Sequence, residues 1–163
     1  MDGGLPQWKR ENRPLTADAP AVTTGRLTTS VRTDLIVDAA FVQGLGGKSG
    51  ITLVDARPPS GYNGEAHMGL KAGHIPGAVN IPFTTLVDES LQVRSRAQLE
   101  EAFRTAGVKP GDTVTIYCYI GQFATATALA ARIVGHPVKF YDGSFTDWSR
   151  RALPTEGGPA GTR

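Results

Sequence analysis

Cysteine is almost absent: Cys118 is the only one in 163 residues. A lone thiol excludes an internal disulfide framework and a cysteine-based zinc cluster, and it makes a reducing, cytoplasmic setting the default expectation. No apolar run approaches the roughly 20 residues that a membrane-spanning helix needs. The first twenty residues carry Asp2, Glu11 and Asp18 with no apolar stretch, so no secretory signal peptide is expected there. An excess of one charge is missing as well. The 17 basic and 15 acidic residues leave a formal net charge of +2 and are scattered, a balance that calls for no nucleic acid and no membrane as partner. What the chain does have is 20 glycines, 11 prolines and 40% hydrophobic residues against 20% charged ones. That is a folded, turn-rich globular protein, long enough for one domain with a real core.

Residues 1–30 show little apolar periodicity and read as an extended lead-in. Leu35, Ile36 and Val37 make a short apolar run, and Asp38 is placed to cap a helix reaching Leu45. Residues 51–55, 78–81, 113–117 and 138–141 read as buried strands. The spacing of Leu99, Ala102, Phe103 and Ala106 predicts a helix, opened by a capping box at Ser95 and Gln98. An Ala-rich helix over 123–134 is stopped by Gly135 and Pro137, and a last short helix covers 144–151. Residues 58–73 form a long loop with one helical turn. Strands alternating with helices imply right-handed crossovers and an α/β fold, a mainly parallel sheet with helices on both faces. The segment after residue 152 is expected to be a disordered tail.

One repeat stands out. Asp2, Gly3, Trp8, Arg10 and Pro14 recur as Asp142, Gly143, Trp148, Arg150 and Pro154, all at one offset, with Leu5 matched by Phe145. A period of domain length points to duplication of a whole domain, of which only the closing segment of a first copy is present. On this reading Leu5 and Trp8 pack on an apolar surface, and residues 16–30 are a link.

The sharpest chemical signal is Tyr117-Cys118-Tyr119-Ile120-Gly121-Gln122-Phe123-Ala124. A strand ends, a cysteine follows at once, a glycine permits a tight loop, and a helix begins. Such a loop turns successive backbone N–H groups inward and adds the positive end of the helix dipole. Those donors favour an anion at sulfur, so Cys118 reads as a nucleophilic thiolate, although a lone cysteine at a strand end is more often structural. Asp55 and Arg57 sit where a strand ends, the binding face of such sheets. Arg57 either meets an incoming anion or is tethered by Asp55, and the tether is the better reading for Asp55. His74, between glycine and Ile-Pro-Gly, is expected to pack and hydrogen-bond a turn under the loop. His67 and His136 have no ligand-like spacing, and no metal site is expected. Gly47-Lys48-Ser49 imitates a phosphate loop, but Val42 occupies its first glycine position.

Over residues 31–152 the chain resembles the rhodanese (sulfurtransferase) family. The resemblance is carried by Leu53-Val54-Asp55-Ala56-Arg57, by Gly73-His74-Ile75-Pro76-Gly77-Ala78-Val79-Asn80, by the cysteine loop, and by Tyr141-Asp142-Gly143 with Trp148. The segment at residues 2–14 looks like the end of a first domain in tandem thiosulfate or 3-mercaptopyruvate sulfurtransferases. The resemblance implies that Cys118 forms a persulfide in a pocket lined by backbone amides of Tyr119, Ile120, Gly121, Gln122, Phe123 and Ala124. Sulfur would pass from a donor such as thiosulfate to a thiophilic acceptor, cyanide or a thiol, small or on a protein, with no cofactor. The loop also departs from the family pattern. Tyr119 and Ile120 follow the cysteine, Phe123 stands where many bacterial relatives carry arginine, and Gly61 stands where tandem enzymes often place one. The pocket is thus expected to lack one or two cations, and a weakly active or non-catalytic binding module is the alternative. Related phosphatases need an arginine at the position of Ala124, so phosphoryl chemistry is not expected.

Overall fold

The computed structural model describes residues 1–30 and 32–157. Its frame is one parallel sheet of five strands: β1 (Ile36–Val37), β2 (Ile51–Asp55), β3 (Val79–Asn80), β4 (Thr113–Tyr117) and β5 (Val138–Tyr141), ordered β1-β5-β4-β2-β3. β2 and β4 lie inside the sheet and are apolar or β-branched at nearly every position, as strands covered on both faces must be. Their side chains alternate between two cores. Val54, Val114 and Ile116 face Leu99 and Phe103 of α4 (Arg96–Thr105) and Ala124, Ala130 and Ala131 of α5 (Gln122–Ile133). Leu53 and Tyr117 face Ala39 and Val42 of α2 (Ala39–Gln43) and Phe145 and Trp148 of α6 (Ser144–Arg150). Helices therefore cover both faces. Two more helices, α1 (Gly4–Arg10) and the single turn α3 (Pro59–Tyr62), lie outside this framework.

The local signals act as their chemistry suggests. Asp38 caps α2 by accepting from Phe41 N at 2.9 Å, although the helix ends at Gln43 and not at Leu45. Ser95 and Gln98 form the capping box of α4. The run Leu35–Val37 becomes the short edge strand β1, while the strand expected over 78–81 narrows to its two central residues.

Two expectations are corrected. Residues 4–10 are helical, not extended; their likeness to residues 144–150, themselves expected to be helical, was the available signal. Residues 153–157 are not a loose tail. Glu156 and His74 form an antiparallel bridge through bonds of 2.9 and 3.0 Å, Pro154 O accepts from Trp148 Nε1 at 2.7 Å, and Glu156 Oε1 accepts from Gly77 N at 2.7 Å. A buried indole N–H needs an acceptor, and that need draws the chain back across the domain. Residues 158–163 of the expected tail lie outside the described residues. The repeat is confined to the two Trp-bearing segments, since the described residues form a single sheet.

Candidate active site

Cys118 follows β4 at the carboxyl end of the parallel sheet. Gly121 closes the short loop with φ 91°, and a Cβ there would press on Asp142 Oδ1 at 3.3 Å and the Phe140 ring at 3.4 Å. Glycine is the residue that fits. Its N–H points back at Cys118 Sγ, 3.1 Å away. No side chain caps α5, and the first amides of a helix have no intrahelical acceptor. The free N–H groups of this first turn add partial positive charge at the start of α5, where the cysteine loop ends.

The loop is held from behind by α6. Ser144 Oγ accepts from Cys118 N at 3.3 Å, Phe145 N donates to Cys118 O at 2.9 Å, and Thr146 donates to Tyr119 O from its N–H at 3.1 Å and its hydroxyl at 2.7 Å. Ser144 does this from φ 52°, a left-handed conformation unusual for a serine. None of Ser144, Phe145 or Thr146 was expected from the sequence to touch the loop.

Although Cys118 is fully buried, it lines the floor of an open cavity of about 450 Å³. Tyr119, Ile120, Gln122 and Phe123 contribute to its walls, together with Thr146 and, from the long loop after α3, Met68 and Leu70. The Phe123 ring stacks on Phe83, with centroids 4.4 Å apart. No Lys or Arg lines the cavity among the described residues. Met68 and Leu70 had no sequence signal, because isolated apolar residues in a loop look alike whether they face a ligand or solvent. Ala124 lies in the core beneath the first turn of α5.

Arg57 is placed elsewhere. Its guanidinium is fully buried, donates to Asp55 Oδ2 from Nε at 2.9 Å and from Nη2 at 2.6 Å, and reaches Gly73 O at 2.9 Å. Burial opposes its charge, but the Asp55 carboxylate outweighs this and holds its pKa above the ordinary arginine value. The Phe145 ring lies 3.8 Å from the guanidinium carbon and the Tyr119 ring 5.3 Å. Arg57 therefore clamps the β2 and Gly73 turns together behind Tyr119 and is not on the cavity wall. Gly61 fits the same arrangement, since a Cβ there would collide with the Tyr119 hydroxyl. The space of a side chain at 61 is filled by Tyr119.

His74 stacks on Tyr62 with centroids 3.6 Å apart, contacts Tyr62 O through Nδ1 at 2.9 Å, and faces Glu156 Oε1 at 3.4 Å. It is not among the residues that line the cavity. Tyr117 accepts from Ile75 N at 3.1 Å, and burial pushes its phenol well above the usual range. Among the described residues no cluster of three His, Cys, Asp or Glu could hold a metal ion.

Known proteins resemble this chain. The family model of the rhodanese-like domain matches residues 38–151. The thiosulfate sulfurtransferase of Gallus gallus is 37% identical over 160 residues, covering 94% of this chain and 54% of its own. That of Azotobacter vinelandii is 33% identical over 149 residues, covering 91% of this chain and 55% of its own. The chain thus spans about half the length of these curated relatives. The solved anaerobic ergothioneine biosynthesis enzyme of Chlorobium limicola has a TM-score of 0.87 at 22% identity, over 98% of this chain and 41% of that one; the likeness is one of fold. With the family model matched over more than half of its residues, the chain belongs to the rhodanese-like family.

Proposed function

We propose that this chain transfers sulfane sulfur through a persulfide on Cys118. The observation that carries the reading is the Gly121 N–H, 3.1 Å from Sγ at the uncapped start of α5 and on the floor of the cavity. The thiolate attacks the outer sulfur of thiosulfate and forms a new S–S bond. The bond from that sulfur to the sulfonate sulfur breaks, and its electron pair leaves with sulfite. The outer sulfur of the Cys118 persulfide then carries the negative charge, where fixed N–H dipoles favour it without reorganising. A thiophilic acceptor such as cyanide or a thiol attacks this sulfur, and the Cys118 thiolate leaves.

The α6 contacts hold the peptide groups on either side of Sγ, so the trajectory of attack is preset. A non-catalytic binding module is the second reading, favoured by the lack of cations on the cavity wall among the described residues. Thiocyanate formation from thiosulfate and cyanide separates the two. Sulfur transfer predicts turnover that is abolished in Cys118→Ser, whose hydroxyl cannot carry a sulfane sulfur; no turnover, or equal turnover in both proteins, contradicts it.

A further inference from the structure

The two walls of the cavity belong to segments far apart in sequence, and one short helix touches both. At its start α6 bonds to the cysteine loop through Ser144, Phe145 and Thr146. At its end it bonds to the opposite wall. Ser149 Oγ accepts from Lys71 N at 2.8 Å, and the Lys71 ammonium donates to Ala152 O at 3.2 Å and Leu153 O at 2.8 Å, just beyond the last turn. A cation suits that place, because the carbonyls at a helix C-terminus carry partial negative charge. Ala152 turns the chain there with φ 54°, and two successive carbonyls meet one ammonium.

Lys71 directly follows the turn that brings Met68 and Leu70 to the cavity wall. Leu70 N donates to His67 O at 2.8 Å and closes that turn. Among the described residues, Met68, Gly69 and Leu70 make no other hydrogen bond, so Lys71 is their nearest anchor on the downstream side. The seven residues of α6 span about 10 Å, and Phe145 and Trp148 fix the helix in the core. Resting on the sulfur-transfer reading for the use of the cavity, we propose that α6 is a spacer across it, with Lys71 and Ser149 as the positioning residues that set how far the Met68 and Leu70 wall stands from Cys118. Cys118 is fully buried on the cavity floor, so the place of this wall decides how wide a molecule reaches the sulfur.

The test is alkylation of Cys118 by iodoacetamide and by its wider N-phenyl analogue, each rate divided by that of the same reagent with free glutathione. Lys71→Met and Ser149→Ala should each raise the wide-to-narrow ratio about threefold or more, the scale of one lost hydrogen bond. Lys71→Arg, which can still donate to both carbonyls, should keep the ratio of the unaltered chain. Arg151→Ala is the control: it removes the 2.8 Å ion pair to Asp147 on the same helix but no bond to the loop, and it should leave the ratio unchanged. A ratio unmoved by Lys71→Met and Ser149→Ala, or moved as much by Arg151→Ala, overturns the inference. So does a Lys71→Arg variant that behaves like Lys71→Met. Sulfur loading from thiosulfate is measured beside it. No loading in the unaltered chain, with the alkylation shifts as expected, overturns the sulfur-transfer reading and leaves the spacer standing.

Discussion

Helices α1 and α6 are each seven residues long, each follows an Asp-Gly pair, and each is closed by the same side-chain bond. Trp8 Nε1 donates to Pro14 O at 2.9 Å, and Trp148 Nε1 donates to Pro154 O at 2.7 Å. Even the unusual backbone angles recur: Gly4 has φ 55° and Ser144 52°, Asn12 has 52° and Ala152 54°. Their surroundings differ completely. Phe145 and Trp148 are 0% and 2% exposed, whereas Leu5 is 55% exposed and Trp8 is half-buried under the Arg13 guanidinium. The expectation that Leu5 packs on an apolar surface is corrected by that exposure. Local sequence is enough to build the turn, the helix and the indole bond; burial has to come from the sheet. The start of α6 also holds the cysteine loop, while the α1 segment reaches only the surface around Ser90 and Val93 through Arg10 and Asp2.

The sharpest way to break this comparison is to truncate both indoles. Trp148→Ala should cost about 3–5 kcal/mol, a fall in melting temperature on the order of 10 °C, and Trp8→Ala about 1 kcal/mol or less. Equal losses in thermal melts would show that the two segments carry the same burden. Next in size is Ser144→Ala, which leaves the buried Cys118 N–H without its acceptor at a cost of about 1–3 kcal/mol and should slow sulfur loading. Ser144→Gly removes the same hydroxyl but relieves the positive φ, so it should melt higher than the Ala variant; the reverse order would contradict the strain. Deleting residues 1–14 should lower the melting point by a few degrees, about 1 kcal/mol, without changing the loading rate.

The smallest effect concerns pH. Hydrogen bonds from Arg151 and then Tyr141 hold the Asp147 carboxyl below the usual carboxylate range. Because its folded pKa lies below the unfolded value near ~3.9, its contribution is complete at neutral pH and is lost as pH falls through the folded value. Asp147→Asn should therefore lower stability at pH 7, and the gap to the parent should close in acid. Gln7 occupies the matching place in α1 and does not titrate. A gap that persists unchanged in acid denaturation would remove the carboxylate from the account.

The parts of the fold that the sequence exposes are those fixed by local pattern. β2 and β4 are apolar or β-branched at nearly every position because both their faces are covered, and the cysteine loop is marked by strand, thiol, glycine and helix in immediate succession. The parts that stay hidden are contacts between distant loops. Nothing near Met68 or Leu70 announces a cavity wall, and nothing near Ser144 announces a bond to Cys118 N. Arg57 shows a further limit: a cation after a strand reads the same whether it faces a ligand or is buried against an aspartate. Glu156 joins the fold by a one-residue bridge and its carboxylate contacts with Gly77 and His74, too short a segment to leave a pattern.

Intact mass of the full chain after incubation with thiosulfate tests the central claim most directly. The account predicts a gain of one sulfur atom located on the Cys118 peptide, discharged by cyanide as thiocyanate and absent in Cys118→Ser. No gain, or a gain that persists in the serine variant, would contradict it.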